Sequence, residues 1–194
     1  DKALSYYENC LELRKKLNDY KRLNQIYNNL AVYYSNQGEF DKAEEYYKLA
    51  LKLSQKHEDK EEEALYHQRL AEIYSDLNQY DKAIEYYYNA EKLFNALEDN
   101  VSLGYIYNSK SAIYKDISSY DKALKASLTA LDYHKLANNL QGVSFSYNSI
   151  GIINQTLKNY DKALEYYNKM IEILKDLDNR QDMAVAYNNI GIVY

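Results

Sequence analysis

With 24 Lys and Arg against 29 Asp and Glu over 194 residues, the chain carries a formal charge of −5. That argues against nucleic acid as a partner, because neutralising phosphates takes clustered Lys and Arg. The single Cys10 excludes an internal disulfide and leaves the redox compartment open, with the cytoplasm as default and the periplasm as alternative. No stretch approaches the roughly 20 apolar residues that span a bilayer. Proline and tryptophan are absent, while Tyr, Asn, Lys and Ile are abundant, a bias that fits an AT-rich bacterial genome.

The chain opens on "DKALSYYENCLEL", and the same phrase returns as "DKAEEYYKLALKL" from 41, "DKAIEYYYNAEKL" from 81, "DKALKASLTALDY" from 121 and "DKALEYYNKMIEI" from 161. A strict period of 40 residues marks one repeat array. Residues 1–20 form a half repeat, a lone helix B. Full repeats follow at 21–60, 61–100, 101–140 and 141–180, and 181–194 is a lone helix A.

Within 21–60, Ile26, Tyr27, Leu30, Ala31, Tyr33 and Tyr34 recur at helical spacing. A turn follows, with Gly38 suited to a left-handed C-cap and Asp41 expected as the N-cap of the next helix. That helix has Ala43, Tyr47, Ala50, Leu51 and Leu53 on its apolar side. Each repeat is therefore an antiparallel helix pair. Small residues line up where helices must approach: Ala31, Ala71, Ser111, Gly151 and Gly191 on helix A, and Ala3, Ala43, Ala83, Ala123 and Ala163 on helix B. Most of the 25 tyrosines fall on the same lattice and are read as packing residues whose hydroxyls reach the edge.

The stretch "YNNLAVYYSNQGEFDKAEEYYKLALKL" resembles a tetratricopeptide repeat in its aromatic, Leu-small, Tyr, Gly, aromatic-Asp-x-Ala and final Ala positions. The resemblance covers the whole chain in register. It implies an all-α, right-handed superhelical solenoid of antiparallel helix pairs. Two features depart from the common form: the period is 40 rather than about 34, and the proline that usually ends helix B is missing. Forty-residue versions resemble kinesin light chains, bacterial peptide-pheromone receptors and the sensory parts of bacterial signalling proteins. The composition is most similar to the last group.

Catalysis finds no support in the residues. None of His57, His67 and His134 belongs to a metal-binding pair, and no Gly-rich phosphate loop is present among the five glycines. His67 replaces a lattice Tyr and Cys10 takes a small-residue position, so both read as packed side chains. The chain is expected not to be an enzyme and to need no cofactor or metal.

Binding is the alternative. The third face of helix A carries Gln25, Asn28, Val32 and Ser35, with equivalents such as Glu72, Lys115, Phe145 and Ile152. The resemblance implies that this face is the inner wall of the superhelix. One row is amide throughout: Asn28, Gln68, Asn108, Asn148 and Asn188. A carboxamide both donates and accepts, so such a ladder suits the backbone of an extended peptide. The equivalent asparagines of kinesin light chains and peptide receptors imply this role for the five positions. Replacing Asn108 and Asn148 by Ala is then expected to weaken binding at nearly constant melting temperature.

The expected function is a scaffold for a protein or peptide, forming the sensory or interaction segment of a larger bacterial signalling protein. The alternative is a structural module that self-associates without a groove ligand. The lone helices at either end also predict end-to-end self-association, with Tyr187, Ile190 and Tyr194 as the adhesive patch.

Overall fold

The computed structural model describes residues 2–17 and 19–194. These residues form ten α-helices and no strand. They are α1 (Lys2–Leu17), α2 (Tyr20–Asn36), α3 (Phe40–Lys56), α4 (Lys60–Asp76), α5 (Tyr80–Ala96), α6 (Asn100–Asp116), α7 (Tyr120–Leu136), α8 (Leu140–Thr156), α9 (Tyr160–Asp176) and α10 (Arg180–Val193). The chain divides into two compact units, residues 1–93 and 94–194. In unit 1, α1, α2, α3 and α4 pack in succession; in unit 2, α6, α7, α8, α9 and α10 do the same.

The helix starts follow two rules. The even-numbered helices are capped by an acid or amide: Asp19, Asp59, Asp99, Asn139 and Asn179 each accept a hydrogen bond from the backbone N–H three residues on. This meets one of the four donors left unpaired at a helix start. The odd-numbered helices α3, α7 and α9 are preceded by Glu39, Ser119 and Asn159, which make no side-chain cap bond. The expectation for Asp41 is corrected here. It lies inside the first turn of α3, which begins at Phe40. There a carboxylate is favoured by the positive end of the helix dipole.

The helix ends repeat one geometry. Gly38 takes φ +74, as its C-cap role requires, but seven non-glycine residues also adopt positive φ, including Glu58, Asn78, Ser118 and Lys158. In each of these turns an N–H reaches back five residues, for example Glu39 to Tyr34, Gln79 to Tyr74 and Ser119 to Tyr114. Left-handed caps closed by such bonds stop the helices without proline.

The expected small-residue rows are buried at Ala31, Ala71 and Ser111, and at Ala43, Ala83, Ala123 and Ala163; Ala3 lies outside the described side chains. Gly151 is needed because a Cβ there would strike the Tyr167 ring, whereas Gly191 faces nothing within 4 Å. The tyrosine lattice pairs rings between adjacent helices, Tyr34 with Tyr46 and Tyr74 with Tyr86 in unit 1, Tyr107 with Tyr133 and Tyr147 with Tyr166 in unit 2. His67 is half-buried against Tyr86, and Cys10 is half-buried on α1.

Candidate peptide-binding groove

In unit 1 the third face of the even helices is mixed on α2, where Val32 is exposed, and carries a polar chain on α4. Asn28 is half-buried on α2. On α4, Gln68 donates to Glu72 at 2.9 Å, and the other oxygen of Glu72 accepts from Arg69 at 2.9 Å. Glu72 also raises the pKa of Asp76, behind the larger effect of burial.

In unit 2 the same face forms a groove of about 170 Å³ between α6 and α8. Five of the residues singled out in the sequence line it together: Asn108, Lys115, Phe145, Asn148 and Ile152. Phe145 is 52% exposed and Ile152 is half-buried beside it, so one wall is apolar and open to solvent. Lys115 lies beside Asp116, 3.4 Å from its carboxylate. Ser111 forms part of the floor and is held by Ala123 and Ser127. Asn188, the fifth amide, is exposed on α10 outside this groove.

The two groove amides differ. The Asn148 oxygen accepts from Asn189 at 2.9 Å, and its side chain is half-buried. Asn108 is 4% exposed, and its carboxamide turns inward to His134 and Ser146, 3.2 Å from each. Its replacement is therefore expected to lower the melting temperature, unlike the outcome expected from the sequence.

His134 was not legible as a centre. Its ring is fully buried, and a Cβ at Gly104 would lie 2.5 Å from it, with a similar clash at Gly142. Burial pushes its pKa below the ordinary imidazole value. The available signal was compositional: position 134 is Ser54, Phe94 and Leu174 in the other repeats, and two helix-interior glycines accompany the exception.

Among the described residues, no group of three or more His, Cys, Asp or Glu is arranged for a metal. None of the described helices is long and apolar enough to cross a membrane.

Family models described as tetratricopeptide repeat match residues 1–56, 64–96 and 146–176. The chain belongs to the tetratricopeptide-repeat family. Its all-α helix-pair solenoid is shared with solved structures. BtubC from P. vanneervenii is 26% identical with a TM-score of 0.80, over 93% of this chain and 75% of that one. The apo form of RapI is 22% identical with a TM-score of 0.85, over all of this chain and 54% of that one. A signal transduction ATPase with a tetratricopeptide repeat sensor from Pyrococcus horikoshii is 21% identical with a TM-score of 0.79, over 97% of this chain and 30% of that one. This tetratricopeptide array thus spans about half of RapI and under a third of the ATPase. No curated protein matches the chain in sequence.

Proposed function

We propose that this tetratricopeptide array binds an extended segment of a partner protein, and that it serves as the interaction or sensory segment of a larger signalling protein. The observation that carries the reading is the unit 2 groove. Five residues selected for peptide contact line one cleft that pairs an open apolar wall with an amide and a lysine. Phe145 and Ile152 suit an apolar side chain, Asn148 suits backbone N–H and C=O groups, and Lys115 suits an acidic group nearby. Asn28, Gln68 and Asn188 hold the equivalent position on α2, α4 and α10 and remain proposed contacts with Glu72. The ATPase with a tetratricopeptide sensor gives the signalling context. The test is a peptide array probed with the chain and with Phe145→Ala. Loss of the bound peptides in the variant, at unchanged melting temperature, supports the groove. Equal binding by both places the ligand elsewhere.

The second reading is self-association. Of the expected patch, Tyr187 and Tyr194 are 54 and 92% exposed, while Ile190 is half-buried against the core of α9. Light scattering of Tyr187→Asp beside the parent chain decides it, since a self-associating face loses mass in the variant.

A further inference from the structure

The hydrogen bonds around His134 can be assigned from their chemistry. The Asn139 oxygen caps α8 by accepting from the Gly142 N–H at 3.0 Å. Its Nδ2 therefore faces the His134 Nδ1 at 3.3 Å and the Tyr105 hydroxyl at 3.3 Å. A donor aimed at Nδ1 requires that nitrogen to be bare, so the proton of a neutral ring sits on Nε2. Nε2–H then donates to the Asn108 carboxamide, which must present its oxygen. This turns the amide over from the placement in which its nitrogen faces the ring and Ser146 donates to its oxygen, so the Asn108 nitrogen donates to Ser146 Oγ instead. Ser146 in turn donates to the Gly142 carbonyl at 3.0 Å. With this orientation, the single Ser146 proton has one acceptor instead of two. The bonds close into a ring that leaves and returns at Gly142, and every member is satisfied while His134 is neutral.

A second proton breaks the ring. It must go on Nδ1, which faces the Asn139 donor. Turning the Asn139 amide to accept it would aim Nδ2 at the Gly142 N–H and remove the cap of α8. Among the described residues, no charged partner offsets the burial that disfavours an imidazolium here. The titratable group facing the ring from α6 is Tyr105, at 4.9 Å between ring centres. From α8 none faces it, since Tyr147 is the only ionisable residue of that helix. Burial is the sole cause of the lowered His134 pKa.

We propose that His134 is a proton-sensitive latch on the N-terminal turn of α8, the helix that carries the Phe145 and Ile152 wall of the groove. While neutral, the ring holds Asn139 in its capping position; when charged, it releases that cap and loosens the turn leading to Phe145. The equivalents of Asn139 are Asp19, Asp59, Asp99 and Asn179, so the amide cap is shared with a repeat that lacks the histidine; a carboxylate at 139 would instead hold a charged His134. Any effect on ligand affinity rests on the groove reading above. The latch itself is tested without a ligand, so the failure of one is read separately from the failure of the other.

The sign follows from linkage. A folded-state pKa below the ordinary 6.5 means that the open chain takes up the proton first. Protection is therefore complete above about 6.5 and falls as pH drops below it, until the folded-state pKa is reached. The experiment is amide hydrogen exchange of Gly142 and Val143 at pH 7.5 and 5.0, corrected for intrinsic rates, with α9 amides as controls. Ring-labelled histidine NMR follows His134 beside His57 and His67. The expected result is a loss of protection at Gly142 of up to about 30-fold at pH 5.0 beyond the controls. Asn139→Asp should shrink or reverse this loss and raise the His134 pKa. His134→Phe should abolish it; should that variant fail to fold, Asn139→Asp alone decides. A His134 that titrates at its ordinary pKa, Gly142 protection that tracks the controls, or an unchanged pH response in Asn139→Asp would each overturn the latch.

Discussion

Units 1 and 2 are built on one lattice and differ in what fills it. Where α4 of unit 1 has Glu72, paired with Arg69 and Gln68, α2 has Val32 and unit 2 has Ala112 and Ile152. Where unit 1 has Ser54, bonded to its own helix at the Leu51 carbonyl, unit 2 has His134, bonded to two other segments. Tyr34 and Tyr74 of unit 1 and Tyr114 of unit 2 receive Lys42, Lys82 and Lys122 over their rings, whereas the equivalent in the last full repeat is Asn154, which bonds back to Ile150. The backbone pattern is therefore indifferent to chemistry on the third face. A few substitutions separate the self-paired polar face of α4 from the open apolar groove of unit 2 over its buried polar network.

The sharpest break lies within one row. Gly151→Ala drives a Cβ into the Tyr167 ring and should cost about 1–3 kcal/mol by overpacking. Gly191→Ala meets nothing and should be neutral or stabilise by up to about 1 kcal/mol, from helix propensity. Urea denaturation reads both, and similar values would show that row position rather than contact decides.

The amides give the next contrast. Asn108→Ala leaves His134 Nε2–H and Ser146 without their partner and should lose about 1–3 kcal/mol of stability. Asn148→Ala removes only the acceptor of Asn189 at a half-buried site, so it should cost less stability than Asn108→Ala and weaken peptide binding by about 0.5–1.5 kcal/mol. Calorimetry of both variants checks this, and equal stability losses would remove the distinction between them.

A smaller effect compares the turns. Gly38→Ala in unit 1 should cost about 1 kcal/mol, because a Cβ disfavours the left-handed region. Lys158→Gly in unit 2, at φ 61, should gain a similar or smaller amount. A loss on Lys158→Gly would mean that this side chain contributes contacts which outweigh its strained backbone.

The period, the helix pairs and the buried alanine rows were legible in the sequence, because they depend on local spacing and on residue size at fixed intervals. Gly38 was legible for the same reason: one residue type is suited to one backbone conformation. The left-handed Glu58, Ser118 and Lys158 were not, since nothing in those residue types asks for positive φ, and the helices packed on either side impose it. The third face was also readable from spacing, whereas its reading as an inner wall came from the family resemblance. Which way each amide points was not. Asn108 and Asn148 occupy the same lattice position, yet Asn108 is drawn inward by an imidazole 26 residues away, and that ring fits only because Gly104 and Gly142 lack a Cβ on two separate helices. A repeat sequence determines which positions meet. The orientation of a polar side chain there depends on donors and acceptors brought together from distant segments, and only the tertiary structure decides it.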